Sequence, residues 1–254
     1  MLRRSSTWLC TVLVLGAPPA LRAQTLDTLP DVAAAQVPAG PHTIRWWHGA
    51  VALGGISALM LADHPVQRYA RHNSGTGADN VAGVVRHFGQ PEVYGTVTVG
   101  LLAAGLATGR PQITRAGGRL AVSLAVAGLT VQVGKFALGR PRPEQSLDAD
   151  GYSPFSGQVS LPSGHAALAF AMATSLADEI HRPWATVGLY GMASAVAWSR
   201  VNDNRHWVSD VAVGALVGIT SAKLASGRWR IFGIKAPSII AGPTGAGLGW
   251  SGQF

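Results

Sequence analysis

The sequence contains almost no thiol groups. Cys10 is the single cysteine among 254 residues, and it lies in an apolar stretch near the amino terminus without the neighbours of a lipoprotein site. One thiol cannot form an intramolecular disulfide or supply several ligands to a metal, and a product cleaved after Ala23 would have no thiol at all. The composition therefore excludes a disulfide-stabilised fold, cysteine catalysis and a thiolate metal centre.

Charged residues are also scarce. They make up 13% of the chain, against about a quarter in average soluble proteins. This scarcity favours a membrane protein or a deeply buried helical bundle. The formal net charge is nevertheless +8, which suits nucleic acid, a membrane surface or an anionic substrate. No nucleic-acid motif accompanies the charge, so no nucleic acid partner is expected and the other two are favoured.

The apolar segments lack the period-two alternation of β-strands. Six of them, each of 12 to 16 residues, occur at 49–62, 94–109, 120–134, 166–177, 185–198 and 211–222. They are too long for typical strands, and they therefore predict helices. The expected fold is all-α, a helical bundle of about six core helices.

Two properties of these segments bear on whether the bundle lies in a membrane. A spanning helix needs about 20 apolar residues, and the segments are shorter. However, they are apolar on nearly every side, which a small bundle in water permits for only one or two helices. Several tryptophans also lie near their ends, as in an aromatic belt at a membrane interface. We expect a membrane-embedded bundle and leave the number of spans open.

The two ends of the chain differ from its centre. Arg3 and Arg4 precede an apolar run with a plausible cleavage point after Ala23, as in an export signal; an uncleaved anchor is the alternative. Near the carboxyl terminus, two short segments could form a hairpin, although a flexible tail is preferred. The predicted organisation is a signal peptide at 1–23, a linker at 24–45, a helical domain at 46–229 and a tail at 230–254.

Three cations recur where charge is otherwise rare. Lys135 supplies a point charge, and Arg142 and Arg200 supply planar forks that match phosphate oxygens two at a time. Between them, Ser163 and Gly164 precede an apolar run and are typical of a helix start, where free N–H groups bind anions. This combination indicates a phosphate site.

Two histidines and a carboxylate complete the pattern. His206 and Asp210 are four residues apart, which places them on one face of a helix, so the carboxylate could orient the imidazole as a nucleophile. His165 is then available to protonate a leaving oxygen. All these residues fall at ends of apolar segments. If neighbouring segments are antiparallel, these ends meet on one side of the bundle.

These residues form three blocks of a known signature. Lys135-x6-Arg142-Pro143, Pro162-Ser163-Gly164-His165 and Ser199-Arg200-x5-His206-x3-Asp210 resemble the motifs of the type-2 phosphatidic acid phosphatase family. That superfamily also includes bacterial class A acid phosphatases and vanadium haloperoxidases. The resemblance covers roughly residues 46–226, and every signature position is filled.

The resemblance implies a role for each signature residue. It implies that phosphate is bound by Lys135, Arg142, Arg200, Ser163 and the Gly164 amide. It also implies that His206 is the nucleophile, that Asp210 orients it, and that His165 is the general acid. No metal and no cofactor are expected. Because one histidine must begin neutral and the other protonated, a bell-shaped pH profile is expected.

The expected substrate is a phosphorylated lipid or a small phosphoester, with membrane lipid as a partner. The protein is expected in a bacterial-type cell envelope, with the site facing the periplasm, because the family's membrane members place it outside. The first alternative is a soluble periplasmic nonspecific acid phosphatase. A vanadium-dependent haloperoxidase and a non-catalytic relative are less favoured. The oligomeric state stays open.

Overall fold

The structure is a computed structural model that describes residues 41–231, together with the backbone of residues 238–242 and 245–249. The predicted signal peptide and residues 24–40 of the predicted linker lie outside the described residues. They stay predictions. The last part of the linker contains a short strand, β1 (His42–Ile44).

The described residues are mainly helical, and the all-α prediction is confirmed. The helices are α1 (Trp46–Met60), α2 (Asp63–His72), α3 (Thr76–His87), α4 (Pro91–Ala107), α5 (Pro111–Leu138), α6 (Gly164–Ile180), α7 (Pro183–Asn202) and α8 (Val208–Ala225). Each of the six predicted segments corresponds to one of these helices. The helices α2 and α3 were not predicted, because their sequences are too polar to stand out from a connector.

Most helices are longer than the apolar segments that predicted them. Helix α5 shows this best, because it has 28 residues where the segment 120–134 marks its centre. Polar residues extend it at both ends. A proline occupies the first turn of α4, α5 and α7, where its missing N–H group costs no helical hydrogen bond. Apolar runs therefore located the helices but not their ends.

Successive long helices alternate in direction from α5 to α8, so α6 and α8 run parallel. Two contacts show which helix ends lie together. Arg119 Nη1, near the start of α5, lies 2.6 Å from Glu179 Oε1, near the end of α6. At the other end of the bundle, the Ser163 N–H before α6 donates to the Asp210 carbonyl in the first turn of α8. As a result α5 and α7 finish, and α6 and α8 begin, at the same end of the bundle.

The chain enters and leaves the bundle at the opposite end. Strand β1 pairs in parallel with β2 (Trp229–Ile231), with His42 opposite Trp229. Since β1 leads into α1 and β2 follows α8, the start of α1 lies beside the end of α8. The start of α1 therefore lies at the end of the bundle opposite the starts of α6 and α8.

Small residues bring α6 and α8 into close contact. A Cβ atom on Gly218 would lie 2.2 Å from the Ala167 carbonyl oxygen, and one on Gly214 would lie 2.5 Å from the Ser163 carbonyl oxygen. Glycines four residues apart place one side of α8 directly against the α6 backbone. This packing fixes the position of the start of α6 relative to the start of α8 along the bundle axis.

Several helices present apolar surface outward. By length and composition, α5 and α8 could each cross a membrane, and α1 with α2 would form a third span if the 47° bend between them lay within one crossing. Helix α1 buries none of its residues, although its sequence is strongly apolar. Such a surface is stable in lipid and unfavourable in water.

The carboxyl-terminal region contains a hairpin. The backbones of β3 (Ser238–Gly242) and β4 (Gly245–Gly249) pair antiparallel, with Ser238 opposite Gly249. The hairpin considered as the alternative to a flexible tail is therefore present in these residues.

Candidate active site

The predicted residues come together at one end of the bundle, supplied by four helix ends. Lys135 lies in the last turn of α5 and Arg200 in the last turn of α7, while Ser163 immediately precedes α6. The amino ends of α6 and α8 both point into this region. Both ends place partial positive charge there, and the first N–H groups of α6 have no acceptor within the helix.

The start of α6 is open to an approaching anion. Ser163 is the N-cap residue, as predicted, but its hydroxyl makes no capping bond. That hydroxyl is buried and has no hydrogen-bond partner. A Cβ atom on Gly164 would lie 4.0 Å from Lys135 Nζ, so the ammonium group lies directly beside the first amides of the helix.

The two arginines carry further unused donors. The Nε atoms of Arg142 and Arg200 are buried without a hydrogen-bond partner. Arg200 Nη1 is held by Asp203 Oδ2 at 2.9 Å, and Arg142 Nη1 lies 3.6 Å from Glu144 Oε1. Each guanidinium is therefore positioned from one side and keeps donors for a ligand on another.

His206 lies outside the helix on which it was expected. Helix α8 begins at Val208, and Trp207 before it has extended backbone geometry (φ −71°, ψ 158°). The expectation that His206 and Asp210 share a helical face is therefore wrong. The pair still meets, because the extended residue returns the His206 ring toward the first turn of α8, where Nδ1 lies 3.6 Å from Asp210 Oδ2.

The Asp210 carboxylate is fixed by several donors. Its Oδ2 accepts hydrogen bonds from Ser160 Oγ at 2.5 Å and from the Trp207 backbone N–H at 2.9 Å. The second contact caps the start of α8. The His206 contact is longer than a hydrogen bond, and a small movement of the ring would close it, as is common in empty catalytic sites. A carboxylate held this firmly can set the orientation of His206.

Arg140 is a part of the site that sequence reasoning missed. Its guanidinium is completely buried and donates from Nη1 to Asp210 Oδ1 at 2.6 Å, while Nη2 donates to Asp63 Oδ2 at 2.6 Å. Arg140 lies between two residues of the first signature block, which drew attention to Arg142 instead. A signal was present, because a second arginine directly precedes a proline in that block.

Asp63 and Ser209 complete the Arg140 network. Asp63 accepts hydrogen bonds from the Ser209 backbone N–H at 2.9 Å and from Ser209 Oγ at 2.6 Å. Asp63 begins α2, far from the signature in sequence. No local sequence feature gives Asp63 a role, because only the fold brings Asp63 to Arg140.

His165 lies among positive charges. Burial, and then the charges of Arg200, His206, Lys135 and Arg142, lower the pKa of His165 to about 4. Burial also lowers the pKa of His206, although Asp210 acts in the opposite direction. Both imidazoles are therefore neutral near pH 7.

The turn between α3 and α4 packs directly on this histidine. A Cβ atom on Gly89 would lie 3.1 Å from His165 Cδ2 and 2.6 Å from Val196 Cγ1. On the same side of the bundle, Gln67 donates to Asn204 at 2.9 Å. Residues 63–93 therefore cover part of the candidate site. The backbone at position 89 can lie this close to the imidazole because glycine has no side chain.

Comparison with known proteins identifies the helical region. Residues 116–230 match the family model described as the PAP2 superfamily. Over 111 residues the chain is 41% identical to a lipid A 1-phosphatase of Porphyromonas gingivalis, covering 43% of this chain and 22% of that protein. The chain thus spans less than a quarter of the length of this relative.

Two solved structures share the fold. One is Aquifex aeolicus LpxE, with 21% sequence identity and a TM-score of 0.52 over 64% of this chain and 93% of that one. The other is a transmembrane PAP2-type phosphatidylglycerolphosphate phosphatase from Bacillus subtilis, with 21% identity and a TM-score of 0.53 over 72% of this chain and 92% of that one. The family match and the filled signature agree: residues 116–230, which contain the three signature blocks, are similar to the PAP2 superfamily, and the two solved structures share the helical fold.

Proposed function

We propose that this protein is a phosphatase that hydrolyses phosphorylated lipids in a bacterial-type cell envelope, through a phosphohistidine intermediate. The observation that carries the proposal is a set of buried polar atoms without partners, Ser163 Oγ, Arg142 Nε and Arg200 Nε, beside the Lys135 ammonium. Buried donors without partners are costly. A phosphate dianion would satisfy all of them and would balance the positive charge.

The chemistry requires two displacements at phosphorus. His206 donates its Nδ1 proton toward Asp210, and its Nε2 lone pair attacks phosphorus while the bond to the leaving oxygen breaks. His165, which takes a proton from the bound substrate monoanion, gives that proton to the leaving oxygen. In the second step His165 takes a proton from water, whose oxygen attacks phosphorus and releases His206. The cations and the α6 amides stabilise the charge on the equatorial oxygens.

A phosphorylated lipid is the favoured substrate for two reasons. The outward apolar surface of the helices suits a lipid environment, and helices α5 and α8 could span it. The relative from Porphyromonas gingivalis is a lipid A 1-phosphatase, and one structural neighbour is a phosphatidylglycerolphosphate phosphatase. We therefore infer a phosphomonoester on an amphipathic lipid, and a soluble phosphoester as the weaker substrate.

The proposed periplasmic orientation constrains the amino terminus. The chain enters the bundle at the end opposite the site, as the pairing of β1 with β2 requires. If the long helices all cross the membrane, a periplasmic site needs the start of α1 to lie on the cytoplasmic side. An exported amino terminus needs a bundle that does not cross fully. A periplasmic site is the common element of both arrangements.

One experiment tests substrate and orientation together. Phosphate release from phosphatidic acid, lipid A and p-nitrophenyl phosphate is measured with EDTA present, in intact spheroplasts and after detergent permeabilisation. We expect EDTA-resistant release, faster with lipid, and full activity toward the soluble ester before permeabilisation. Activity abolished by EDTA would contradict metal independence. Activity seen only after permeabilisation would place the site in the cytoplasm.

The pH dependence of kcat/KM provides a further prediction. Burial and the surrounding cations lower the pKa of His165 to about 4, so at higher pH the proton for the leaving group must arrive with the substrate. Phosphate monoesters lose their second proton near about pH 6. We expect kcat/KM to fall about tenfold per pH unit above that value. On the acid side of the profile, kcat/KM falls when protonation of His206 removes the nucleophile. This fall lies below pH 6.5, because the pKa of His206 is lowered from that value.

A change of substrate shows whether the basic limb of the pH profile reports ionisation of the substrate or of an enzyme residue. A fluorinated alkyl phosphate, whose second pKa is lower, should move the basic limb of the profile to lower pH by the same amount. The acid limb should stay in place. A basic limb that keeps its position with both substrates would contradict the prediction and assign that limb to a residue of the enzyme.

A further inference from the structure

Arg140 is shared between two carboxylates in a fully buried network. The side chains of Arg140, Asp63 and Asp210 are each 0% exposed. The remaining donor of the guanidinium, Nε, bonds to the Ala149 carbonyl at 2.8 Å. Every nitrogen of the fork therefore has an acceptor, and the network has a single well-defined geometry.

The charges in this network do not cancel. One guanidinium and two carboxylates leave a net charge of −1, and the Asp210 carboxylate is the member that contacts His206. If Arg140 faced Asp210 alone, the pair would be neutral, and little field would act on the imidazole. Asp63 prevents this, because it shares the cation at an equal distance of 2.6 Å.

We propose that Asp63 is a positioning residue of the candidate site, which shares Arg140 with Asp210 and so leaves Asp210 a negative charge directed at His206. This inference rests on the proposed role of His206 as nucleophile. Asp63 acts through Arg140 and touches no reacting atom. It also fixes the start of α8 through Ser209, so one side chain sets both the place and the charge of the Asp210 carboxylate.

The groups that face His206 define the direction of the expected change. Asp210 on α8 favours the imidazolium form, whereas Lys135 on α5, Arg142 in the following loop and His165 on α6 disfavour it. Asp63→Asn removes one negative charge from the far side of Arg140. A unit charge about 10 Å away, at an effective dielectric constant of about 50, shifts a pKa by about half a unit. The pKa of His206 should fall by that amount.

Histidine C2-proton exchange followed by mass spectrometry measures this pKa residue by residue in the full-length protein, without any need for activity. We expect His206 to titrate about half a unit lower in Asp63→Asn than in wild type. The matched control is Asp178→Asn, which breaks an ion pair with Lys223 at the opposite end of the bundle and should leave His206 unchanged. No difference between Asp63→Asn and wild type, or an equal shift in the control, would overturn the inference.

A second variant covers the case in which Asp63→Asn does not fold. Asp63→Asn combined with Arg140→Met removes one charge of each sign, and replacement of a whole buried ion pair is often tolerated. Because Arg140 lies nearer to His206 than Asp63 does, loss of both charges should return the pKa of His206 to the wild-type value or raise it above that value. A value below wild type would overturn the inference. Absence of phosphatase activity in wild type would instead refute the proposed function, and the exchange measurement would still decide the role of Asp63.

Discussion

Replacing His206 by alanine is expected to lower kcat/KM for phosphate release at least about a thousandfold, because a covalent route cannot proceed without its nucleophile and the remaining groups supply only binding and electrostatic stabilisation. His206 Nδ1 is buried without a hydrogen-bond partner and lies 3.6 Å from Asp210 Oδ2, so alanine at this position breaks no hydrogen bond of that nitrogen. The variant should therefore fold normally. Phosphate release from lipid and soluble esters, measured with matched amounts of folded protein, tests this loss.

The matched control is His181→Ala. His181 lies beyond the end of α6 away from the site, where its ring contacts Arg228, and its replacement should leave activity unchanged. Rapid acid-free quenching with labelled substrate should trap a base-stable, acid-labile phosphoenzyme in wild type and none in His206→Ala. Full activity in His206→Ala would contradict the assignment of the nucleophile. A phosphoenzyme that persists in the variant would assign the covalent step to another residue.

Gly218→Ala is expected to damage the contact between α6 and α8 severely. The new methyl group would lie 2.2 Å from the Ala167 carbonyl oxygen and 2.8 Å from the Ala171 nitrogen, and both are backbone atoms that cannot rotate away. Helices α6 and α8 must separate. We expect the free energy of unfolding to fall by about 3 kcal/mol. Activity should fall about a hundredfold in the protein that folds, because Ser163 and Asp210 shift relative to each other.

Gly188→Ala is the control for this prediction. Gly188 also lies inside a helix, α7, but a Cβ atom there would meet nothing within 4 Å. Alanine at this position should be neutral or stabilising by up to about 1 kcal/mol, because alanine favours helix. Denaturant unfolding in mild detergent compares the two variants. Equal stability of Gly218→Ala and wild type would contradict the close packing of α6 and α8.

The predictable part of the site consists of residues whose chemistry shows in sequence. Lys135, Arg142 and Arg200 were recognisable because isolated cations are unusual beside apolar helices, and the structure brings all three to the same helix ends. Ser163 was identified as a helix start. Its unbonded hydroxyl could not be foreseen, because whether a serine caps its own helix or faces a ligand depends on the neighbouring elements.

Contacts distant in sequence account for what was missed. Asp63 lies 77 residues before Arg140, and Asp210 lies 70 residues after it. Nothing local distinguishes Asp63 from other polar residues of its segment. The His206–Asp210 geometry was also misjudged for a local reason: the four-residue spacing fits a helical face, but Trp207 adopts an extended conformation and ends that possibility.

The sequence by itself determined the class of fold, the number of long helices and the candidate residues for a phosphate site, because apolar runs, helix-start residues and charge scarcity are local properties. Only the tertiary structure decided that α6 and α8 run parallel in close contact through Gly214 and Gly218. It alone placed Asp63 and Asp210 on either side of Arg140. The reason is physical: burial of a charge and approach of two backbones are set by every element around them, and no local stretch of the chain contains that information.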